Sequence, residues 1–137
     1  MKTEFRMKAS VGEVYQTLID STVAEARMYA GKEITESDLA SGYKYHRKVK
    51  KNGREQDVVV HIRKPVKDRN LHIMSAYPQE SYEMDYQLEA LDQKHTLIRY
   101  EQINSRQKDR KSTPLFKWGM RRRFKQMEKY ITRARKS

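Results

Sequence analysis

Three histidines, His46, His61 and His72, are the side chains best suited to metal or acid–base chemistry in this chain. Each lies in a segment whose apolar residues alternate as in a β-strand. If the intervening turns are tight, His61 lies opposite His72 and diagonal to His46, with all three on the outer face of a sheet. Imidazoles so placed can bind a divalent metal. No carboxylate stands as an evident third ligand, so we interpret the histidines as solvated and predict no metal site.

Other chemistry is limited by what the chain lacks. There is no cysteine, which excludes disulfides, thiol catalysis and cysteine-ligated metal centres. The sequence contains no nucleophile elbow, phosphate-binding loop, dinucleotide fingerprint or metalloprotease motif. The acids of the segment 81–91 alternate with apolar residues and are expected to face solvent. We therefore predict no catalytic residue and no cofactor, while titratable groups enclosed in a cavity stay open as a third hypothesis.

The positive charge is concentrated in one segment. Of a net charge of +12, residues 106–137 carry +11, from 13 Lys and Arg and two acids, and residues 1–105 carry the remaining +1. Thr113 and Pro114 form a helix start, with an N-cap followed by proline at the first helical position. Apolar residues then recur at helical spacing and predict an amphipathic helix over 114–136. Its apolar stripe comprises Phe116, Met120, Phe124, Met127, Ile131 and Ala134.

The opposite side of this helix is the predicted surface for an anionic partner. It carries Trp118, Arg122, Lys125, Lys129 and Arg133, with Lys136 beyond them. A basic face with an exposed aromatic residue is typical of binding to single-stranded nucleic acid or to an anionic membrane surface. The alternative is a solvated back of a core helix, since Lys and Arg are good helix formers, with Trp118 covering the mouth of the sheet. Both interpretations stay open.

The remainder predicts a strand, a helix and five consecutive strands. The segment 2–8 alternates weakly, and Ser10 with Glu13 forms a capping box for a helix that ends near Gly31. After one helical turn at 37–40 the period changes to two from Tyr43 onward. Asn52-Gly53 predicts a hairpin turn. Further strands are expected at 57–64, 70–77, 81–91 and 95–103.

This order predicts an α+β fold in which the long C-terminal helix covers the apolar face of an antiparallel sheet. The chain resembles an uncharacterised bacterial family of unknown function in the START-like (SRPBCC, Bet v-type) helix-grip superfamily. The residues that carry the resemblance are Ser10-x-x-Glu13-x-Tyr15-x-x-Leu18-Ile19-Asp20-Ser21, Leu39-x-x-Gly42-Tyr43, Tyr82-x-x-x-Tyr86-x-Leu88-Glu89 and Tyr100-Glu101. The resemblance implies a curved sheet of about six strands wrapped around the C-terminal helix, with the N-terminal helix after strand 1.

The resemblance also implies a cavity between the sheet and the C-terminal helix that holds an apolar ligand. The expected lining comprises Tyr45, Arg47, Val60, Ile73, Tyr82, Met84, Tyr86, Ile98, Tyr100, Met120, Phe124 and Met127. Tyr and Met side chains together suit an adaptable apolar pocket with a few hydroxyl groups. The alternative is an ordinary filled core in which the same residues pack against one another.

Arg47 is the one cation on this predicted inner face. By the Asn52-Gly53 register it lies opposite Val58. It either anchors the carboxylate or phosphate of a ligand, or extends to water at the sheet edge, or is turned outward by a bulge.

We expect residues 1–137 to form a single domain. The N-terminus has no apolar signal-peptide core, and no stretch approaches a membrane span, so we expect a cytoplasmic protein. The predicted function is binding of a small apolar or amphipathic ligand. The alternative is an interaction module whose basic helix contacts nucleic acid or a membrane surface. Oligomeric state and ligand identity are left open by the sequence.

Overall fold

Six strands and two long helices follow one another in the order expected from the changes in hydrophobic period. The computed structural model describes residues 1–30, 33–106 and 112–136. In chain order its elements are β1 (Lys2–Met7), α1 (Val11–Ala30), α2 (Glu36–Leu39), β2 (Tyr43–Lys51), β3 (Arg54–Ile62), β4 (Asn70–Ala76), β5 (Ser81–Ala90), β6 (Thr96–Asn104) and α3 (Pro114–Lys136). No helix among the described residues is long and apolar enough to span a membrane.

The strands form one antiparallel sheet in the order β1-β6-β5-β4-β3-β2. Neighbours in the chain are neighbours in the sheet except for β1, which pairs with the last strand. The predicted curved sheet with a C-terminal helix, and an N-terminal helix after strand 1, is confirmed.

The capping box is formed as predicted at the start of α1. The backbone N–H of Glu13 donates to Ser10 Oγ at 3.2 Å, and the backbone N–H of Ser10 donates to Glu13 Oε1 at 3.0 Å. Each residue thereby satisfies a donor that the first helical turn leaves unpaired. The predicted end of this helix near Gly31 falls outside the described residues, and α1 is described to Ala30.

Two tight turns produce the registers expected from the sequence. Asn52 and Gly53 have φ values of 54° and 76°, as the predicted hairpin turn requires, and Arg47 lies opposite Val58. In the β5–β6 hairpin, Tyr86 lies opposite Tyr100, as a short turn between the strands expected at 81–91 and 95–103 requires.

The register predicted between β3 and β4 is wrong by two residues. His61 lies opposite Met74, and His72 lies opposite Asp85 on β5. The connection is longer than a tight turn, with an added bridge between Val66 and Asn70. A shift of two residues keeps every side chain on its own face, so the alternating pattern could not detect it.

Two helices cover different parts of the same face of the sheet. Phe124 of α3 packs against Phe5 of β1 with ring centroids 5.7 Å apart, while Tyr29 of α1 stacks on Tyr45 of β2 at 6.4 Å. We call this covered face the inner face. The core lies between it and the helices.

The start of α3 is as predicted, and its apolar stripe is shorter than expected. Thr113 Oγ1 accepts a hydrogen bond from the backbone N–H of Phe116 at 3.1 Å, which caps the helix. Met120, Phe124 and Ile131 are buried, whereas Ala134 is exposed. The stripe therefore ends at Ile131, because the last turn of α3 extends past the apolar core.

Candidate functional site

Cross-strand pairing brings the predicted lining residues into parallel rows on the inner face. One row runs from Tyr45 through Val60 and Ser75 to Tyr82. The neighbouring row contains Ile62, Ile73, Met84 and Gln102, and Tyr86 pairs with Tyr100 in a third. Side chains that share a face and pair across strands are within contact distance, so residues distant in sequence form one surface.

Half of the predicted lining is packed core. Six residues, Tyr45, Val60, Ile98, Tyr100, Met120 and Phe124, are buried among other side chains. The ring of Tyr100 lies 4.9 Å from that of Tyr86 and 6.2 Å from that of Phe124. Burial raises the pKa of Tyr45 to about 12 and raises that of Tyr100 as well. The contact of Tyr100 with Phe124 joins α3 to the sheet, and these six residues are packed as expected of a filled core.

The other half of the predicted lining remains partly exposed: Arg47, Ile73, Tyr82, Met84, Tyr86 and Met127. Ile73 lies opposite Met84 on the adjacent strand, which places the two in direct contact range on the inner face. The sequence missed Tyr77, which follows β4, precedes Pro78 and packs edge-on against Tyr82 at 5.5 Å. We call Ile73, Tyr77, Tyr82, Met84 and Tyr86 the inner patch.

The hydroxyl groups of the inner patch differ in their partners. Tyr82 donates to Glu80 Oε1 at 2.7 Å, and this bond is the first cause of the raised pKa of Tyr82. Burial raises the pKa of Tyr86, with nearby Arg123 opposing the shift. Both phenols therefore stay neutral at physiological pH and act as hydrogen-bond donors or acceptors. The inner patch is apolar apart from three phenolic hydroxyl groups, those of Tyr77, Tyr82 and Tyr86.

Arg47 stays on the inner face and is held by α1. Its Nη1 lies 3.1 Å from Glu25 Oε1, and its guanidinium lies over the ring of Tyr29 at 5.5 Å. Burial opposes the charge, but the neighbouring hydroxyl of Tyr77 and the charge of Glu25 raise the pKa of Arg47 overall. The sequence did not identify Glu25, Tyr29 or Tyr77 as partners. The packing of α1 against β2 brings Glu25 and Tyr29 to Arg47, and Tyr77 comes from the residue after β4.

One donor of Arg47 is left over. Among the described residues its Nε is buried and has no hydrogen-bond partner. The side chain as a whole is 20% exposed. A buried unpaired donor costs free energy, and an acceptor supplied by a ligand would remove that cost. A bulge, one of the alternatives for Arg47, is not formed, since β2 pairs continuously with β3 from Tyr43 to Lys51.

The three histidines do not converge. His72 Nε2 lies 3.5 Å from Glu83 Oε2, whereas His46 lies two strands away, opposite Val59. No group of three or more His, Asp or Glu side chains suited to a metal ion is present within residues 1–30, 33–106 and 112–136.

The predicted anionic-partner surface is exposed along α3. Trp118 is 60% exposed. The guanidinium of Arg122 lies 5.6 Å from the centre of its ring. Lys125, Lys129 and Arg133 are exposed on the same side, and the side chain of Lys136 lies outside the described residues.

An open depression of about 930 Å³ lies on the opposite, outer face of the sheet. Its lining is polar and includes Asn70, which donates to Asp85 Oδ1 at 2.7 Å and to the backbone oxygen of Tyr86 at 3.0 Å. Asn70 is thus paired within the protein, whereas His72, which also lines the depression, has a buried Nε2 without a hydrogen-bond partner among the described residues.

Comparison with known proteins supports the fold. The structure of Ara h 8.0201 is similar over 96% of both chains, with a TM-score of 0.59 and 11% sequence identity. Protein CV1439 from Chromobacterium violaceum is similar over 96% of this chain and 95% of that one, with a TM-score of 0.54 and 12% identity. At this identity the likeness shows the fold alone. No curated protein matches the chain.

Residues 1–116 match the family described as Domain of unknown function (DUF3284). The match includes all six strands and ends within the first turn of α3. The structural neighbours are helix-grip proteins of the Bet v1/START-like type, which confirms the resemblance seen in the sequence. The chain therefore belongs to the DUF3284 family, and its fold is the START-like helix grip.

Proposed function

We propose that this protein binds a small apolar or amphipathic molecule on the inner patch, between the sheet and α3. The observation that carries the proposal is the partly exposed inner patch, one member of which, Tyr77, neighbours Arg47, whose Nε lacks a hydrogen-bond partner among the described residues. Apolar surface with a few placed polar groups is the usual composition of ligand sites. The superfamily resemblance points to the same region of the fold.

The filled half of the inner face limits the size of the ligand. Tyr100 of β6 and Met120 and Phe124 of α3 are buried between the sheet and α3. A ligand would therefore lie against β4 and β5 instead of reaching under the whole helix. Met84 and Met127 are flexible side chains that can adjust to different shapes. A ligand there would place its apolar part on the inner patch and its polar end toward Arg47.

Native mass spectrometry of freshly purified protein tests for a retained ligand. A thermal-shift panel of a long-chain fatty acid, its alcohol and a polycyclic aromatic compound tests for exchangeable ligands. A ligand at about a hundredfold above its Kd should raise the Tm by about 5–10 °C. No adduct, together with no shift by any compound, would contradict the proposal.

Met84→Glu and Met74→Glu form a matched pair for this test. Met84 is on the inner face opposite Ile73, and Met74 is on the outer face opposite Glu83. The two substitutions change net charge equally, but only the first introduces a carboxylate into the inner patch. We expect Met84→Glu to abolish the ligand-induced shift and Met74→Glu to retain it. Far-UV circular dichroism confirms that both variants are folded.

A further inference from the structure

The outward face of α3 combines cations with large apolar side chains. We define it as Leu115, Trp118, Arg122, Lys125, Lys129 and Arg133, all of which are exposed. Leu115 is 76% exposed and Trp118 is 60% exposed. From Leu115 to Arg133 the helix rises about 27 Å, and these six residues fall within a sector of about 80°. The result is a narrow, straight surface of uniform positive charge.

Solubility does not account for this composition. A core helix needs a polar back, but it does not need Leu115 and Trp118 in water, where exposed apolar area costs free energy. The single acid of α3 is Glu128, and it accepts a hydrogen bond from the backbone N–H of Lys8 at 2.7 Å, away from the outward face. The cations of the outward face therefore act together as one positive stripe.

We propose that the outward face of α3 docks on an anionic lipid surface. Leu115 and Trp118 would enter the interface between headgroups and acyl chains, where tryptophan is favoured. Arg122, Lys125, Lys129 and Arg133 would lie against the lipid phosphates. This surface is separate from the inner patch, so the proposal holds whether or not the inner patch binds a ligand.

Two observations favour a lipid surface over single-stranded nucleic acid as the partner. Arg122 lies over one side of the Trp118 ring at 5.6 Å, which occupies a surface that a base would need for stacking. Leu115 is aliphatic and offers no ring for stacking, whereas its exposed side chain suits insertion among acyl chains. Charge alone would serve both partners, and these two residues distinguish them.

The chain contains a single tryptophan, which makes Trp118 a direct reporter of docking. Full-length protein is titrated with vesicles of phosphatidylcholine alone and with vesicles containing phosphatidylglycerol. We expect the emission of Trp118 to shift to shorter wavelength, and to be quenched by brominated acyl chains, only with the anionic vesicles. Added salt should reverse both effects, since exposed charges are screened. Emission unchanged by anionic vesicles at low salt would overturn the proposal.

A matched pair of triple variants separates the effect of the outward face from the effect of net charge. Lys125→Gln, Lys129→Gln and Arg133→Gln neutralise the outward face, whereas Lys48→Gln, Lys50→Gln and Arg54→Gln remove the same charge from exposed positions of β2 and β3. Each cation near an anionic surface strengthens binding about fivefold, so the first variant should lose about a hundredfold in vesicle partitioning. The second should stay within about fivefold of the unmodified protein. Equal losses in both would overturn the proposal.

The rival partner is tested in parallel with a single-stranded oligothymidylate of fixed length. If the protein bound the oligonucleotide tightly and did not co-sediment with anionic vesicles, the proposal would be overturned in favour of nucleic acid. Vesicle binding that is weakened by Leu115→Ser as well as by loss of the cations would support the proposal, because nucleic-acid binding does not use an aliphatic side chain. Circular dichroism and Tm show that each variant remains folded.

Discussion

Arg135 in the last turn of α3 forms a bidentate ion pair with Glu13 in the first turn of α1. Nε of Arg135 lies 2.6 Å from Glu13 Oε2, and its Nη2 lies 2.8 Å from Glu13 Oε1. Nη2 also donates to the backbone oxygen of Lys8 at 3.3 Å. Glu13 is already part of the capping box with Ser10, so one carboxylate both caps α1 and ties the end of α3 to it.

Stability should fall in acid through Glu13. Its hydrogen bond to Arg135 is the main cause that lowers the pKa of Glu13 from 4.5 to about 2. The folded state therefore binds fewer protons than the unfolded state, so the contribution is complete above about pH 4.5 and is lost as pH falls through about 2. We expect Glu13→Gln to lower stability by about 1 kcal/mol at pH 7, a discounted value because the pair is partly exposed.

Urea unfolding between pH 2 and pH 7 checks the Glu13 prediction. The difference in unfolding free energy between the unmodified protein and Glu13→Gln should narrow toward pH 2. Glu89→Gln removes a more exposed partner of Arg99 and serves as the control, with an expected change below about 0.5 kcal/mol. A difference for Glu13→Gln that is constant with pH would contradict the ion-pair explanation.

Arg47 should control preference for anionic ligands on the inner patch. Arg47→Met removes a charge-assisted hydrogen bond and should weaken binding of a fatty acid about tenfold, while its alcohol changes less than about twofold. Glu25→Gln should have the opposite effect, because Glu25 competes for the same guanidinium. Thermal-shift titration measures both.

Arg63→Met is the control for Arg47→Met. Arg63 also lies near a glutamate, with Nη2 3.9 Å from Glu83 Oε1, and it is on the outer side of the sheet. Arg63→Met should leave the affinities for the fatty acid and for its alcohol unchanged. If Arg47→Met weakened the acid and the alcohol equally, Arg47 would be a packing residue and not an anion anchor.

Phe124 should dominate the attachment of α3 to the sheet. It is 2% exposed and packs against the rings of Phe5 and Tyr100, so Phe124→Ala should cost about 3–5 kcal/mol. Phe116 is partly exposed and contacts Tyr100 at 6.3 Å, so Phe116→Ala should cost less than half as much. Chemical denaturation measures both, and equal costs would show that α3 is held equally along its length.

Two glycines should respond to alanine in opposite directions. Gly119 lies within α3 with no neighbouring atom within 4 Å of an added Cβ, so Gly119→Ala should stabilise the protein by about 0.5–1 kcal/mol. Gly42 has a φ of 92°, and a Cβ there would lie 3.3 Å from the backbone oxygen of Ile62. Gly42→Ala should therefore destabilise by more than about 1 kcal/mol. Calorimetry compares the two Tm values, and a common sign would contradict this explanation.

Local patterns predicted the elements because their causes are local. The Ser10–Glu13 capping box and the positive φ of Asn52 and Gly53 each depend on residues within one turn. The β2–β3 and β5–β6 registers follow from short turns. The β3–β4 register was missed, since the connection from Arg63 to Arg69 makes its own bridge between Val66 and Asn70.

The candidate site was predicted only in part. The face of the sheet on which a side chain lies follows from strand alternation, but whether that side chain is buried does not. Alternation placed Tyr100 and Tyr86 on the same inner face, yet the first is packed and the second is partly exposed. Which of them is covered depends on where α3 crosses the sheet. Two partners of Arg47, Glu25 and Tyr29, are likewise on α1, and Glu25 is 22 residues from Arg47 in sequence.

The sequence by itself determined the order of strands and helices, the inner and outer faces, and the basic outward face of α3. Hydrophobic period, capping residues and turn residues act over a few positions, so they can be read without tertiary contacts. Only the tertiary structure decided how the helices cover the sheet, and therefore that Tyr100 is core while Met84 stays accessible. It also joined Glu13 to Arg135 across 122 residues, because packing energies between distant segments have no local signature in the chain.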